Sequence, residues 1–180
     1  MKILLHICCA VCAGSCVYRL REEGYEVQGL FYNPNIQPPS EYLKRLQATE
    51  ELARQEKFLL FIGDYDLHNW YNRVEGLEKE PEGARRCAEC FRLRLQKTQE
   101  IAKEKDIPVF TTTLTLSPHK DALKINQIGQ SIGKDAFLAR DFKKQDGVKK
   151  SAQLAKEYCL YRQNYCGCIY SRGQAYLSPI

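Results

Sequence analysis

The chain has 180 residues, 44% apolar and 27% charged, and its 27 Lys and Arg against 22 Asp and Glu give a net charge of +5. This composition excludes a disordered chain and suits one domain, residues 1–180, able to bury a core without covalent staples. No apolar run reaches the ~18 residues of a membrane span, and the apolar part of "MKILLHICCA" is short for a secretory signal. A cytoplasmic location is therefore expected, where thiols stay reduced unless they are functional.

The elements alternate along the chain. "KILLHIC", residues 2–8, reads as a buried strand. "AGSCVYRLREEG" follows as a helix stopped by Gly24, and "EVQGLFYNP" as a second strand ended by Pro34. Ser40 is placed to cap a helix through "EYLKRLQATEELARQEK". "FLLFIGDY" is a third strand, whereas residues 64–84, with Gly76, Pro81 and Gly83, read as irregular. A long helix runs from about Arg86 to Lys105, presenting Cys90, Leu93, Lys97 and Ile101 at spacings of three and four. "IPVFTTTLTLSP" is expected as a strand, "KDALKINQIGQSIG" as a helix, "AFLARDF" as a short strand and "VKKSAQLAKEYCLYRQ" as the last helix. Such alternation predicts an α/β domain with a mostly parallel sheet. Its functional crevice lies beyond the carboxyl ends of the strands, and "HICCAVC" is the exit of strand one.

Nine cysteines are the anomaly, and an odd number argues against a disulfide framework. Cys87 and Cys90 form a CxxC at the start of the long helix, where the helix N-terminus favours thiolates. The spacing suits half a zinc site, half an iron–sulfur site or a redox pair. Arg85, Arg86, Arg92 and Arg94 would offset the negative charge of a thiolate-ligated cluster, though a solvated helix face accounts for at least two of them. Cys8, Cys9 and Cys12 form CCxxC, in which the adjacent pair can ligate together only where the backbone turns. Cys9, Cys12, Cys87 and Cys90 could make a four-thiolate zinc site, but an iron–sulfur cluster, tolerant of irregular spacing, fits better. His6 shares a strand face with Cys8 and reads as an internally satisfied histidine, while Cys16 and Cys159 read as core packing. Cys166 and Cys168, in "YCGC", could close a strained and easily reduced ring or act as metal ligands. Tyr158, Tyr161, Tyr165, Tyr170 and Tyr176 around that pair suit base stacking and packing equally.

Together, "HICCAVC" after the first strand, "CAEC" opening a helix and "YCGC" near the C-terminus resemble the QueH family of epoxyqueuosine reductases, over essentially the whole chain. Members more often carry proline where this chain has Val11, a change that bears on loop stiffness and leaves the thiols in place. The resemblance implies a Rossmann-like fold of the adenine-nucleotide α-hydrolase, or HUP-like, group. It also implies two-electron deoxygenation of epoxyqueuosine to queuosine in tRNA, the last step of queuosine synthesis. Its cofactor would be a 4Fe–4S cluster held, by motif match, by Cys8, Cys9, Cys87 and Cys90, with Cys166–Cys168 as a redox-active disulfide. Cysteines stand where that fold group carries a glycine-rich phosphate loop, which argues against use of ATP. Surplus thiols such as Cys12 leave room for an additional single iron acting as a Lewis acid. The implied partners are tRNA bearing epoxyqueuosine and an external electron donor, with Arg92, Arg94, Lys143, Lys144, Lys149 and Lys150 as candidate phosphate contacts. The alternatives are a zinc-stabilised tRNA-binding module and a tRNA sulfur-transfer enzyme; the second needs a nucleotide-binding loop that the sequence does not show.

Overall fold

A computed structural model describes residues 1–171. Its sheet contains Lys2–His6 (β1), Glu26–Phe31 (β2), Leu60–Ile62 (β3) and Val109–Thr112 (β4), all parallel, in the order β3-β2-β1-β4. Strand β1 is central and buried after Lys2, with the apolar run Ile3–Leu5 that a strand covered on both faces needs. Its side chains divide the core. Ile3, Leu5 and Ile7 pack with Ala10–Glu22 (α1), Pro39–Gln55 (α2) and Gly147–Glu157 (α6); Leu4 packs with Leu67–Val74 (α3), Arg85–Glu104 (α4) and Ala122–Gly133 (α5). Cys8, the next residue on the Leu4 side after His6, touches both cores. The α/β architecture expected from the alternation is borne out. Among the described residues, no helix is long and apolar enough to cross a membrane.

Four local expectations are corrected. The stretch 64–84 contains α3, whose first turn is capped by Asp66 accepting from Asn69 N–H at 3.0 Å, and which buries Trp70 and Val74 one turn apart. Helix α2 starts at Pro39 behind a Pro38 cap, so Ser40 lies inside the first turn, where the fixed φ of Pro39 does the nucleating. Strand β4 stops at Thr112 because threonine hydroxyls take over from the ladder: Thr112 Oγ1 accepts from Leu114 N–H, and residues 113–116 wind into a 3-10 turn. "AFLARDF" is reduced to a bridge between Phe110 and Phe137, since the Thr111 hydroxyl takes the Leu138 carbonyl at 2.8 Å.

Candidate functional site: a thiol-lined cleft at the carboxyl ends of the strands

Beyond the ends of β1, β2 and β4 lies a cleft of about 690 Å³ including its open mouth. Cys8, Cys12, Asn35, Arg94 and Cys166 are among its lining residues. A smaller cavity alongside is lined by Cys87, Phe91, Lys120, Lys124 and again Cys166. Cys166 therefore stands between the N-terminal thiols and the CxxC of α4.

The turn out of β1 solves the problem posed by adjacent cysteines. Cys9 caps α1 in an extended conformation, and the backbone bends so that the sulfurs of Cys8, Cys9 and Cys12 all lie within 4.8 Å of one another. Thr113 fixes the bend from the β4 side, accepting from Cys8 N–H at 3.1 Å and donating to Cys8 Sγ at 3.2 Å. Hydrogen bonds from Cys12 and Cys9 hold the Cys8 thiol well below its usual range despite burial, with Lys120 and Thr113 assisting. Cys12, a donor to both neighbours, is pushed well above the usual thiol range. A hydrogen bond from Cys12 works to lower Cys9, but Cys8 and burial outweigh it and push Cys9 up to about 12. The three thiols thus act as one hydrogen-bonded group in which Cys8 is the most acidic, and deprotonating all of them calls for a bound cation.

Across the cleft, Cys87 and Cys90 lie in the first turns of α4, both buried. Burial raises both thiols, against the Gly83 N–H that donates to Cys87 Sγ at 3.2 Å and against Arg94 beside Cys90. Desolvation here outweighs the helix terminus that the sequence pattern invoked. The arginines divide two and two. Arg85 and Arg92 reach solvent, whereas Arg86 and Arg94 are only 3% and 2% exposed. Arg86 donates to the carbonyls of Leu77, Glu78 and Glu80 and lies 4.9 Å from the Tyr170 ring centroid. Arg94 pairs with no carboxylate among the described residues; its electrostatic neighbours are Cys90, Cys166, Cys8 and Cys87. A buried guanidinium needs a counter-charge, and thiolates are the anions on offer. Because it is buried, Arg94 drops out as a phosphate contact.

The Cys166–Gly167–Cys168 segment lies past α6, in a loop and not at a helix end. Arg45 holds it: Nη1 donates to Cys166 O at 3.0 Å, Nη2 to Tyr165 O at 3.2 Å, and Nε to Glu41 at 2.7 Å. Gln37 N–H donates to Gly167 O at 2.8 Å and Tyr165 O–H donates to Gln37 O at 2.5 Å. Gly167 has φ +112, and a Cβ there would meet Arg45 Nη1 at 3.0 Å, so glycine is required between the two cysteines. A hydrogen bond from Cys168 draws the Cys166 thiol well below its usual range against burial, helped by Lys120 and Arg94; Cys168 is raised correspondingly.

His6 is a fully buried, satisfied histidine: Nε2 is 3.1 Å from Tyr32 O and Nδ1 2.9 Å from Thr112 Oγ1, and burial lowers it to about 4. Cys16 is core, as expected. Cys159 is not: α6 ends at Glu157, and Cys159 is exposed with φ +50. The tyrosines favour packing, with Tyr158 donating to Glu56, Tyr161 to Glu41, and Tyr170 beside Trp70; Tyr176 lies outside the described residues. Sequence reasoning missed Arg45, Thr113, Lys120, Asn35 and Gln163. The available signal was slight: Glu41 and Arg45 one turn apart on the face of α2 that also carries Tyr42, Ala48 and Leu52.

The family model described as "Epoxyqueuosine reductase QueH" matches residues 3–174. The chain belongs to that family. It is accordingly an oxidoreductase, an epoxyqueuosine reductase of queuosine biosynthesis. Proteins named epoxyqueuosine reductase QueH from Haemophilus influenzae and Streptococcus pyogenes are each 38% identical over 94% of this chain, which spans 71% and 70% of their lengths. The Thermotoga maritima relative is 34% identical, with 94% of this chain and 89% of its own length covered. In three dimensions the chain is similar to the U34-tRNA thiolase NcsA from Methanococcus maripaludis, solved with its [4Fe-4S] cluster. The TM-score is 0.58 at 12% identity, over 90% of this chain and 58% of that one, a likeness of fold alone.

Proposed function

We propose that this member of the family deoxygenates epoxyqueuosine to queuosine in tRNA in the cytoplasm, with Cys8, Cys9, Cys87 and Cys90 holding a 4Fe–4S cluster and Cys166–Cys168 serving as its redox-active dithiol. The observation that carries this reading is Arg94, a buried cation whose neighbours are cysteines from all three thiol segments. The donor set suits an iron–sulfur cluster: thiolates alone, converging on one cleft, with buried positive charge to offset them. Such a cluster, when bound, supplies electrons one at a time. The dithiol supplies the pair: oxidation of Cys166 and Cys168 to a disulfide releases two electrons and the one proton held on Cys168, a second proton comes from solvent, and the epoxide oxygen leaves as water as the alkene forms. Cys166, the lower of the two thiols, is the thiolate, and Cys168 holds the proton. An external electron donor then restores the dithiol. Cys12, next to Cys8 and Cys9 but outside the four assigned ligands, is the thiol free to take an additional single iron.

The test is the visible spectrum and iron-to-sulfide ratio of anaerobically purified protein, followed by turnover of epoxyqueuosine-containing tRNA. A broad brown chromophore with about equal iron and sulfide is expected. The Cys87→Ala and Cys90→Ala variants should lose it, and Cys16→Ala should keep it. A chromophore that survives loss of both Cys87 and Cys90 rules out the ligand assignment.

A further inference from the structure

The turn after β2 carries two asparagines with opposite fates. Asn33 is fully used: its Nδ2 donates to Ile7 O at 2.9 Å and its Oδ1 accepts from Arg94 Nη1 at 3.3 Å. Asn35 is only 1% exposed, yet neither its Oδ1 nor its Nδ2 has a partner. Gln163 Oε1 and Arg94 Nη2 are likewise buried and unpartnered, and all three residues line the cleft together with Cys8, Cys12 and Cys166. The turn is closed by Ile36 N–H donating to Asn33 O at 3.2 Å, so Asn35 sits at a defined position.

Buried polar atoms without partners are rare in folded proteins, and a group of them on one cleft points to a polar ligand. The chemistry of that ligand follows from the atoms. Thiolates and sulfide only accept, so they can satisfy Arg94 Nη2 but not the oxygens of Asn35 and Gln163. Those oxygens need O–H or N–H donors, while the Asn35 amide N–H needs an acceptor beside them. Adjacent hydroxyls supply donor and acceptor together, and exchanging the O and N of the carboxamide leaves the demand unchanged. On the reading that epoxyqueuosine is the substrate, we infer that Asn35, with Gln163, is the specificity-determining reader of the hydroxyls on the substrate's carbocycle, seating that ring in the cleft beside Cys8, Cys12 and Cys166.

The experiment compares holoenzyme with its Asn35→Leu and Gln163→Met variants on epoxyqueuosine-containing tRNA, with melting temperature and visible spectrum measured in parallel. Leucine is close in size to asparagine and needs no partner, so Asn35→Leu should melt no lower than wild type. Its KM should rise ~10–100-fold with the spectrum unchanged, the range expected when a buried substrate hydroxyl loses its hydrogen bonds. Gln163→Met should raise KM ~10-fold. An unchanged KM in both variants overturns the inference and leaves the orphan atoms to water. So does a fall in melting temperature at unchanged KM, which marks the carboxamide as structural. Should wild type fail to reduce this tRNA, the proposed function falls, and the Asn35 assignment is decided by binding alone. Queuosine nucleoside should then raise the wild-type melting temperature more than 7-aminomethyl-7-deazaguanosine, which lacks the carbocycle, and Asn35→Leu should erase that difference. Equal shifts in wild type overturn it.

Discussion

Two walls of the cleft carry cysteines on very different supports. The Cys8–Cys12 wall is the end of a central strand, with parallel neighbours on both sides, a helix starting at Ala10 and Thr113 gripping Cys8. The Cys166–Cys168 wall is a loop with no ladder of its own, kept in place by Arg45, Gln37 and Tyr165. Groups that must stay put are best placed on the stiff end of a sheet. A pair that has to pass between dithiol and disulfide needs a segment whose ties are side-chain hydrogen bonds, which yield without melting the core. The comparison teaches that the fold holds one set of thiols and only tethers the other.

The sharpest way to break that distinction is Cys168→Ser. If the pair relays electrons, this variant keeps the chromophore and the melting temperature but loses multiple turnover, since serine cannot form the disulfide. A structural loop would behave in the opposite way, with a lower melting temperature and full activity in the cold. Wild-type turnover in the Cys166→Ser/Cys168→Ser double variant, under the same reductant, ends the relay idea.

Next in size is the tether. Arg45 and Glu41 form a buried ion pair, with side chains 3% and 9% exposed. Replacing Arg45 with Met leaves the buried Glu41 without its cation, with only the Tyr161 hydroxyl donating to it, and frees the carbonyls of Tyr165 and Cys166. Breaking a buried pair in this way costs about 3–5 kcal/mol. Denaturant unfolding of Arg45→Met should show a loss of that order, together with slower turnover at temperatures where it stays folded. A loss under ~1 kcal/mol, typical of exposed pairs, would mean that the tether is slack.

The same contrast explains what could be read from the sequence. Strand β1, the helices with three-and-four spacing and the two-sided sheet were legible because burial imposes a period. The cysteine segments were legible because thiols clustered at such short spacings have few uses besides metal binding and redox chemistry. Arg45 was not, because in the sequence it is one more charge on a helix; only the folded chain brings residues 165 and 166 to its guanidinium. Asn35 was hidden for a related reason: an asparagine after proline reads as turn chemistry, and its missing partners appear only when the neighbours are known. Strand β4 failed at its end because the hydroxyls of Thr111 and Thr112 compete with the ladder, an outcome that β propensity does not encode.

A smaller effect distinguishes α4's own arginines. Arg92 is partly exposed and Arg94 buried. Lys144, Lys149 and Lys150 are exposed, whereas Lys143 Nζ already donates to Thr115 O and Lys120 O. Arg92 and Lys149 stand on helices packed against opposite sides of the sheet, and wherever tRNA phosphates meet one of them, neutralising it should reduce the salt slope of binding by about one unit. Arg94→Gln should leave the slope alone and disturb the chromophore. An affinity for tRNA that does not change with ionic strength would remove the electrostatic contribution altogether.

The smallest effect concerns the cysteine that stands outside the cleft. Helix α6 is closed by Cys159 N–H donating to Lys156 O at 3.2 Å and Leu160 N–H donating to Ala155 O at 2.9 Å, with Leu160 buried. That is the left-handed helix stop usually built on glycine, and Cys159 occupies its glycine position with φ +50. A β-carbon in that conformation costs ~1 kcal/mol, partly offset because glycine loses more chain entropy on folding. Cys159→Gly should therefore stabilise the protein by ~0.5 kcal/mol, seen as a small rise in the denaturation midpoint, with chromophore and turnover unchanged. Destabilisation would show instead that the Cys159 thiol packs against something, and would restore the core reading that its exposure contradicts.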